Sequence, residues 1–210
     1  MDISIIGTGN MAKGFAAVFA KAGHRVTIVG RGEAKAQAVA NEVGHGVKGG
    51  GPDAVGKSSD VTFLAIPYDA AADVLSEAGG FDGQIVVDVT NPMKADFSGL
   101  AIGHSTSAAE EIQKKAPGAK VVKAFNTVFA SVLANGGKAG GKASTVFVAG
   151  DDEEARKQVA ALARSAGFAT VETGGLASAR LLEPVAALNI ALGYGLGHGT
   201  DIAPAWQGIS

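Results

Sequence analysis

The first twelve residues limit the fold of this chain more than any other segment. An apolar run over residues 3–6 leads into the sequence GTGNMA over residues 7–12, which follows the pattern G-x-G-x-x-A. In this pattern the first glycine allows a tight turn, the second lets a pyrophosphate approach the backbone, and the final small residue lets helix and strand pack closely. Free N–H groups at the start of the following helix then face the phosphates. The segment therefore predicts a strand, a turn and a helix that bind a dinucleotide.

Strand-like apolar runs alternate with helix-like stretches along the rest of the chain. We predict strands over residues 3–6, 25–29, 60–66, 84–89, 119–125, 144–150 and 168–173. We predict helices over residues 11–22, 33–43, 69–78, 107–116, 151–167 and 176–192. Runs such as IVVDV lack a two-residue alternation, so we expect these strands to be buried on both faces. The pattern predicts an α/β fold, a Rossmann-like, doubly wound and mainly parallel sheet, followed by a C-terminal helix and a glycine-rich tail.

The composition of the 210-residue chain excludes several classes of protein. Its net charge is −2, without the basic excess of a nucleic-acid-binding domain. It has no cysteine, which excludes disulfides, thiolate catalysis and cysteine-bound metals. The apolar stretch at the N-terminus is too short for a signal peptide or a membrane span. We therefore expect a cytoplasmic protein whose partners include neither a nucleic acid nor a membrane.

The end of the second predicted strand carries cations where an acid is usual. In dinucleotide-binding units an Asp or Glu at this place holds a ribose hydroxyl. Here the place is taken by Gly30 and Arg31, with Lys35 four residues on. An arginine can pair with a phosphate through two parallel N–H bonds, and a lysine adds charge. This favours NADP, with its 2′-phosphate, over NAD; the alternative is two solvated cations at the start of a helix.

Six segments, in this order and spacing, resemble one family of reductases. They are GTGNMAKGFA, HRVTIVGRGEAK, LAIPYDA, DVTNPM, KAFNT and GLASARLLEPVAALNIALGYG, and together they span nearly the whole chain. The chain resembles the coenzyme F420-dependent NADP oxidoreductases, which pass hydride between NADPH and an 8-hydroxy-5-deazaflavin. It is also similar to the cytoplasmic domain of the ferric reductases called six-transmembrane epithelial antigens of the prostate. The resemblance implies an NADP-dependent oxidoreductase with a small-molecule redox acceptor, for which F420, FMN and FAD are the candidates.

The resemblance also implies which residues bind the cofactor. By position they form the pyrophosphate loop, the 2′-phosphate clamp, the loop on the nicotinamide side and the ends of the next two strands: Gly7, Thr8, Gly9, Asn10, Met11, Arg31, Lys35, Ile66, Pro67, Asn91 and Asn126. Gly30 departs from the family, whose best-known members tend to have Ser there. No catalytic acid or base and no metal ligand is predicted, since hydride transfer between two rings depends mainly on how they are stacked.

The C-terminal part of the chain and the acceptor leave alternatives open. We expect residues 1–175 to form the NADP-binding domain, and residues 176–210 to complete the acceptor pocket or a homodimer interface. Tyr194 and Trp206 are either ring-stacking partners or ordinary packed aromatics, and Lys123 either contacts a ligand or ties down its loop. Reductases of a small imine or of a keto or hydroxy acid share the N-terminal motif, but usually add a long helical domain. A non-catalytic NADP sensor is the third reading.

Overall fold

One large sheet with helices on both faces forms the core of the protein. The computed structural model describes residues 1–54, 59–77 and 81–209. The strands of the large sheet are β1 (Asp2–Ile6), β2 (Arg25–Val29), β3 (Lys48–Gly50), β4 (Val61–Leu64), β5 (Ile85–Asp88), β6 (Lys120–Lys123), β9 (Thr145–Gly150) and β10 (Ala169–Glu172). A separate small hairpin consists of β7 (Lys138–Ala139) and β8 (Lys142–Ala143). The helices are α1 (Asn10–Lys21), α2 (Glu33–Val43), α3 (Tyr68–Glu77), α4 (Ala108–Lys115), α5 (Ala130–Ala134), α6 (Glu153–Ser165) and α7 (Ala179–Ile190).

The strand order places the ends of five strands at one edge. The order is β10-β9-β6-β5-β4-β1-β2-β3, and the six strands from β6 to β3 run parallel. Strand β9 pairs antiparallel with β6, and β10 pairs parallel with β9. The predicted α/β, Rossmann-like and mainly parallel sheet is therefore confirmed. The carboxyl ends of β1, β2, β4, β5 and β6 meet at one edge, where open α/β sheets bind their ligands.

The central strands and their helices bury a continuous apolar core. Strands β4 and β5 are buried at every position, because helices cover both faces of the sheet. Five phenylalanines form a chain of ring contacts with centroids 5.1–6.1 Å apart; they come from α1, β4, the loop after β6 and the residue before β10: Phe15, Phe19, Phe63, Phe125 and Phe168. Phe125 holds a left-handed backbone with φ of 61°. Its buried ring thus stands at a turn of the chain just after β6.

Strand β3 was not predicted, and Gly49 gives the reason. A Cβ atom at Gly49 would lie 2.3 Å from the backbone Cα and N of Gln37 in α2. Only glycine therefore lets α2 lie directly on this edge strand, and a strand rich in glycine lacks the usual sequence signal. The β7–β8 hairpin and α5 were also missed, and most element ends differ by one to three residues. The last residue of the helix predicted over 69–78 lies outside the described residues.

The C-terminal helical segment packs on the sheet. It consists of a 3-10 turn (Leu176–Ser178), α7 and a π turn (Ala191–Gly195). Among the described residues it is the one segment long and apolar enough to cross a membrane. Here its Leu182 contacts Phe147 and Ala149 of β9, while Leu181 and Leu188 are exposed. The predicted division at residue 175 and the homodimer through this helix stay predictions.

Candidate functional site

A cavity of about 510 Å³ lies at the edge where the parallel strands end. The loops after β1, β4, β5 and β6 form it, together with the last turn of α7 and the π turn. Seven of the residues predicted to bind the cofactor line this cavity: Gly9, Asn10, Met11, Ile66, Pro67, Asn91 and Asn126. Four others do not line it: Gly7, Thr8, Arg31 and Lys35. The cavity therefore gathers segments that are far apart in the sequence, and its volume suits a small organic ligand.

The N-terminus of α1 presents unpaired backbone N–H groups to the cavity. Gly9 is the N-cap residue, and no side chain accepts a hydrogen bond from the first turn. A Cβ atom at Gly9 would meet no atom within 4 Å, so the backbone is open to a close approach. The first turn holds no acidic residue, and the helix dipole adds a partial positive charge. These features fit a pyrophosphate.

Gly7 closes the turn that brings α1 to this edge. Its φ is 130°, and a Cβ atom there would lie 2.2 Å from the carbonyl oxygen of Ala65. Its N–H donates to the carbonyl oxygen of Val29 at 2.8 Å. Any side chain at this position would push the loop after β1 away from β4. Gly7 therefore acts through backbone packing rather than through a ligand contact.

Arg31 and Lys35 lie beyond the cavity on the same edge. Both side chains are exposed, and within the described part of the chain neither forms a hydrogen bond or an ion pair. Gly30, which precedes Arg31, lies close to Thr8 of the glycine loop. A Cβ atom at Gly30 would be 3.0 Å from Thr8 Cγ2. A Ser at position 30 would crowd this methyl group. Arg31 is thus next in sequence to a residue that lies close to the glycine loop, and Lys35 is four residues further on.

Two asparagines and one threonine form the polar wall at the other end. Asn91 Nδ2 donates to the carbonyl oxygen of Asn126 at 2.8 Å. Asn126 Nδ2 donates to Asn91 Oδ1 at 3.1 Å and to the carbonyl oxygen of Leu182 at 3.0 Å. Asn126 Oδ1 and Thr90 Oγ1 are buried and have no hydrogen-bond partner among the described residues. Both residues line the cavity, and an unpaired polar atom beside a cavity is a candidate partner for a polar group of a ligand.

Lys123 does not line the cavity but holds its floor. Its side chain is 0% exposed, and Nζ donates to Asp88 Oδ2 at 2.8 Å, to Glu183 Oε1 at 2.7 Å and to the carbonyl oxygen of Thr90 at 2.7 Å. Glu183 also accepts hydrogen bonds from the first N–H groups of α4, those of Ala108 and Ala109. Burial raises the pKa of Glu183, an effect that the Lys123 ammonium partly offsets. Of the two readings of Lys123, the structure supports the one in which it ties down its loop.

Two exposed aromatic rings stand in the cavity wall. Tyr194 of the π turn and Phe97 of the loop after β5 both line the cavity, and their exposed fractions are 71% and 69%. Sequence reasoning considered Tyr194 but missed Phe97, which stands in a polar turn with no local sequence signal. Trp206 is elsewhere, packed edge to face on Phe147 with ring centroids 5.3 Å apart. Of the two aromatics considered from the sequence, only Tyr194 is therefore at the cavity.

Comparisons with known sequences identify one family model and relatives that cover different shares of the chain. The family model "NADP oxidoreductase coenzyme F420-dependent" matches residues 2–92. The F420-dependent NADP reductase of Methanothermobacter thermautotrophicus is 32% identical over 209 residues, which cover 91% of this chain and 89% of the relative. Rat metalloreductase STEAP3 is 35% identical over 128 residues, or 61% of this chain. The match covers only 25% of the length of that metalloreductase.

A solved structure shows the same fold over almost the whole chain. The putative F420-dependent NADP-reductase from Arthrobacter sp. FB24 superposes with a TM-score of 0.85 and 29% identity. The match covers 97% of this chain and 99% of that structure. The segments that build the cavity therefore lie within the region of common fold.

Replacing Lys123 with Met should destabilise the fold in a pH-dependent way. The variant leaves Glu183 and Asp88 buried without their cation, so we expect a loss of about 3–5 kcal/mol in the free energy of unfolding. The pKa of Glu183 rises further without the ammonium. A carboxyl group with a raised pKa binds more protons in the folded than in the unfolded state between its ordinary value of 4.5 and its folded value. Stability in that window therefore increases as the pH falls.

Urea denaturation at about pH 5 and about pH 8 measures both effects. Lys157→Met, which removes an exposed ion pair with Glu153, is the control and should show no measurable change. A Lys123→Met variant as stable as the wild-type protein would show that the ion pair does not hold the cavity floor. An equal loss at both pH values would contradict the assignment of the pH dependence to Glu183.

Proposed function

The chain belongs to the family of coenzyme F420-dependent NADP oxidoreductases and is an NADP-dependent oxidoreductase, and from this premise we propose that it transfers hydride between NADP(H) and a deazaflavin or flavin-like ring. The observation that carries the proposal is the chemistry of the cavity wall. Among the described residues that line the cavity there is no Asp, Glu, Lys, Arg or His. Its described lining residues supply apolar side chains, amides, hydroxyls and the three aromatic rings of Phe97, Phe129 and Tyr194.

In this proposal the two ends of the site hold the two ends of the cofactor. The N–H groups at the start of α1 bind the pyrophosphate, and Arg31 with Lys35 binds the 2′-phosphate. Thr90 and Asn126 bind the carboxamide and so fix which face of the nicotinamide ring is exposed to the cavity. When bound, NADPH supplies the hydride from C4 of its nicotinamide ring. The protein contributes orientation and a dry, apolar surface for the transfer.

The uncharged wall favours a ring as the acceptor. Reduction of a ketone or an imine benefits from a positioned proton donor, and a keto acid needs a cation for its carboxylate. Of the described residues that line the cavity, Tyr194 is the one titratable group and none is a cation. A flavin or deazaflavin accepts the hydride, with its two electrons, on its central ring, and the single proton that completes the reduction comes from water. Such a ring stacks on apolar and aromatic side chains without requiring a charged group.

One prediction of the proposed function concerns the choice between NADPH and NADH. Arg31→Ala removes a charged hydrogen bond to the 2′-phosphate, so the Kd for NADPH should rise by roughly ten- to a hundred-fold while the Kd for NADH stays unchanged. Quenching of protein fluorescence or isothermal titration calorimetry gives both constants. Lys115→Ala removes an exposed cation remote from the site and serves as the control. If Arg31→Ala weakens NADPH and NADH equally, Arg31 does not bind the 2′-phosphate.

Another prediction concerns the end of the site that is proposed to bind the nicotinamide. Thr90→Val keeps the shape of the side chain but removes a buried hydroxyl that has no protein partner. We expect an unchanged or slightly higher free energy of unfolding, and a Kd for both NADPH and NADH raised by about two- to tenfold. The contrasting variant is Thr62→Val, because the Thr62 hydroxyl is bonded to Ser59 Oγ at 3.1 Å. Thr62→Val should lose stability and keep cofactor affinity; the same behaviour of Thr90→Val would remove Thr90 from the site.

A screen of electron acceptors tests the proposed reaction itself. The purified protein is mixed with NADPH and, in turn, with F420, FMN, FAD, a ferric chelate, a cyclic imine and a keto acid. Loss of the nicotinamide absorbance is followed together with the absorbance band of each ring. We expect turnover with at least one of the three ring compounds. Turnover only with the imine or the keto acid, or tight NADPH binding with no turnover at all, would refute the proposal.

A further inference from the structure

We propose that Phe97 and Tyr194 form a two-sided aromatic clamp that selects a planar, multi-ring acceptor. This inference rests on the proposed function and names the residues that give the cavity its acceptor specificity. The two rings approach one cavity from different elements, and both are mostly exposed although the protein has a large apolar core. Exposed aromatic rings are common as single residues, but two at the same cavity indicate a ligand with a flat apolar surface.

The backbone at Phe97 is strained, and its surroundings hold it in place. Its φ is 57°, a left-handed conformation that bulky residues rarely adopt. Phe97 stands at the tip of a short hairpin closed by the bridge between Met93 and Leu100 and by the bond from Lys94 N–H to the carbonyl oxygen of Gly99 at 2.9 Å. Its own N–H donates to the carbonyl oxygen of Lys94 at 2.9 Å. Because the side chain is mostly exposed, burial in the core does not explain this conformation, and such backbone outliers cluster at functional sites.

Tyr194 stands on a π turn that is anchored on both sides. Its ring meets Phe129 edge to face, with centroids 5.5 Å apart. A Cβ atom at Gly193 would lie 3.0 Å from Phe129 Cζ, so glycine lets the turn lie directly on this ring. The N–H of Gly199 donates to the carbonyl oxygen of Gly193 at 3.1 Å, which folds the tail back over the turn. Wide turns of this kind often occur at functional sites, and this one presents a prepositioned ring.

The position of the two rings relative to the polar wall agrees with a second ligand beside the nicotinamide. Thr90 and Asn126, the proposed partners of the carboxamide, belong to the loops after β5 and β6 and line the cavity. Phe97 is on the hairpin that continues the first of these loops, and Tyr194 follows the helix whose Asn189 donates to the carbonyl oxygen of Thr127 at 3.0 Å. The aromatic rings therefore border the part of the cavity that the proposed nicotinamide position leaves open. A ring held there can stack against the nicotinamide.

Direct binding measurements test the clamp without depending on turnover. The protein is saturated with NADP⁺, and the fluorescence of added FMN and of added F420 gives the two dissociation constants. Phe97→Ala and Tyr194→Ala should each raise the Kd for the ring that binds by about three- to tenfold, and the double variant by roughly the product. Phe97→Tyr and Tyr194→Phe keep a ring and should stay near the wild-type value. Leu188→Ala, which removes an exposed apolar side chain outside the cavity wall, is the control.

The outcomes separate the clamp from the proposed reaction. If the alanine variants bind FMN and F420 as tightly as the wild-type protein, the clamp is refuted, whether or not hydride transfer occurs. If the rings bind through Phe97 and Tyr194 but receive no hydride from NADPH, the clamp stands and the proposed function fails. Failure of the wild-type protein to bind either ring refutes both. The Kd for NADPH should not change in any of these variants, and a parallel loss would show damage to the cofactor site instead.

Discussion

The cavity depends on one buried ammonium group. Lys123 at the end of β6 joins Asp88 of β5 and Glu183 of α7, and it holds the backbone of Thr90 between them. Glu183 in turn caps α4 through the N–H group of Ala108. Moving any one of β5, β6 and α7 away from the other two would leave a buried charge without its partner, which is costly. These elements are therefore held together as a unit. The wall formed by the loops after β5 and β6 is therefore fixed relative to α7, although most of this wall makes no regular secondary structure.

This arrangement separates the charges that build the site from the surface that a ligand meets. The buried ion pairs lie behind the wall, while the cavity itself shows amides, hydroxyls and apolar groups. Arg31 and Lys35 are exposed cations near Thr8, away from the cavity lining. The proposed cofactor carries its 2′-phosphate on the adenosine and an uncharged carboxamide on the other ring. In the proposed binding mode, the adenosine therefore lies toward these cations and the nicotinamide toward the uncharged cavity.

The features that could be predicted are those encoded by contiguous residues. The glycine pattern at residues 7–12 and the cations after β2 each act within one short segment, so spacing alone predicts their place. Strand β3 could not be predicted, because the close contact with Gln37 requires glycine at position 49, whereas glycine has a low strand propensity. Lys123 was noted from the sequence, but its pairing with Glu183 joins residues that are far apart, and spacing carries no information about such a contact. Phe97 was missed because its turn resembles any polar surface turn.

The same reasoning explains why the cofactor is easier to identify than the acceptor. In the proposed mode, NADP(H) is held mainly by the first unit of the sheet, where Gly7 and Gly30 are closely packed and leave little room for other side chains. The acceptor end is built from a hairpin after β5 and a π turn after α7, whose aromatic rings are mostly exposed and contribute little to the core. Exposed side chains at such positions can change with little cost to the fold. If the proposed clamp binds the acceptor, a chain that keeps the glycine loop and the two cations can take a different acceptor by changing these two short segments alone.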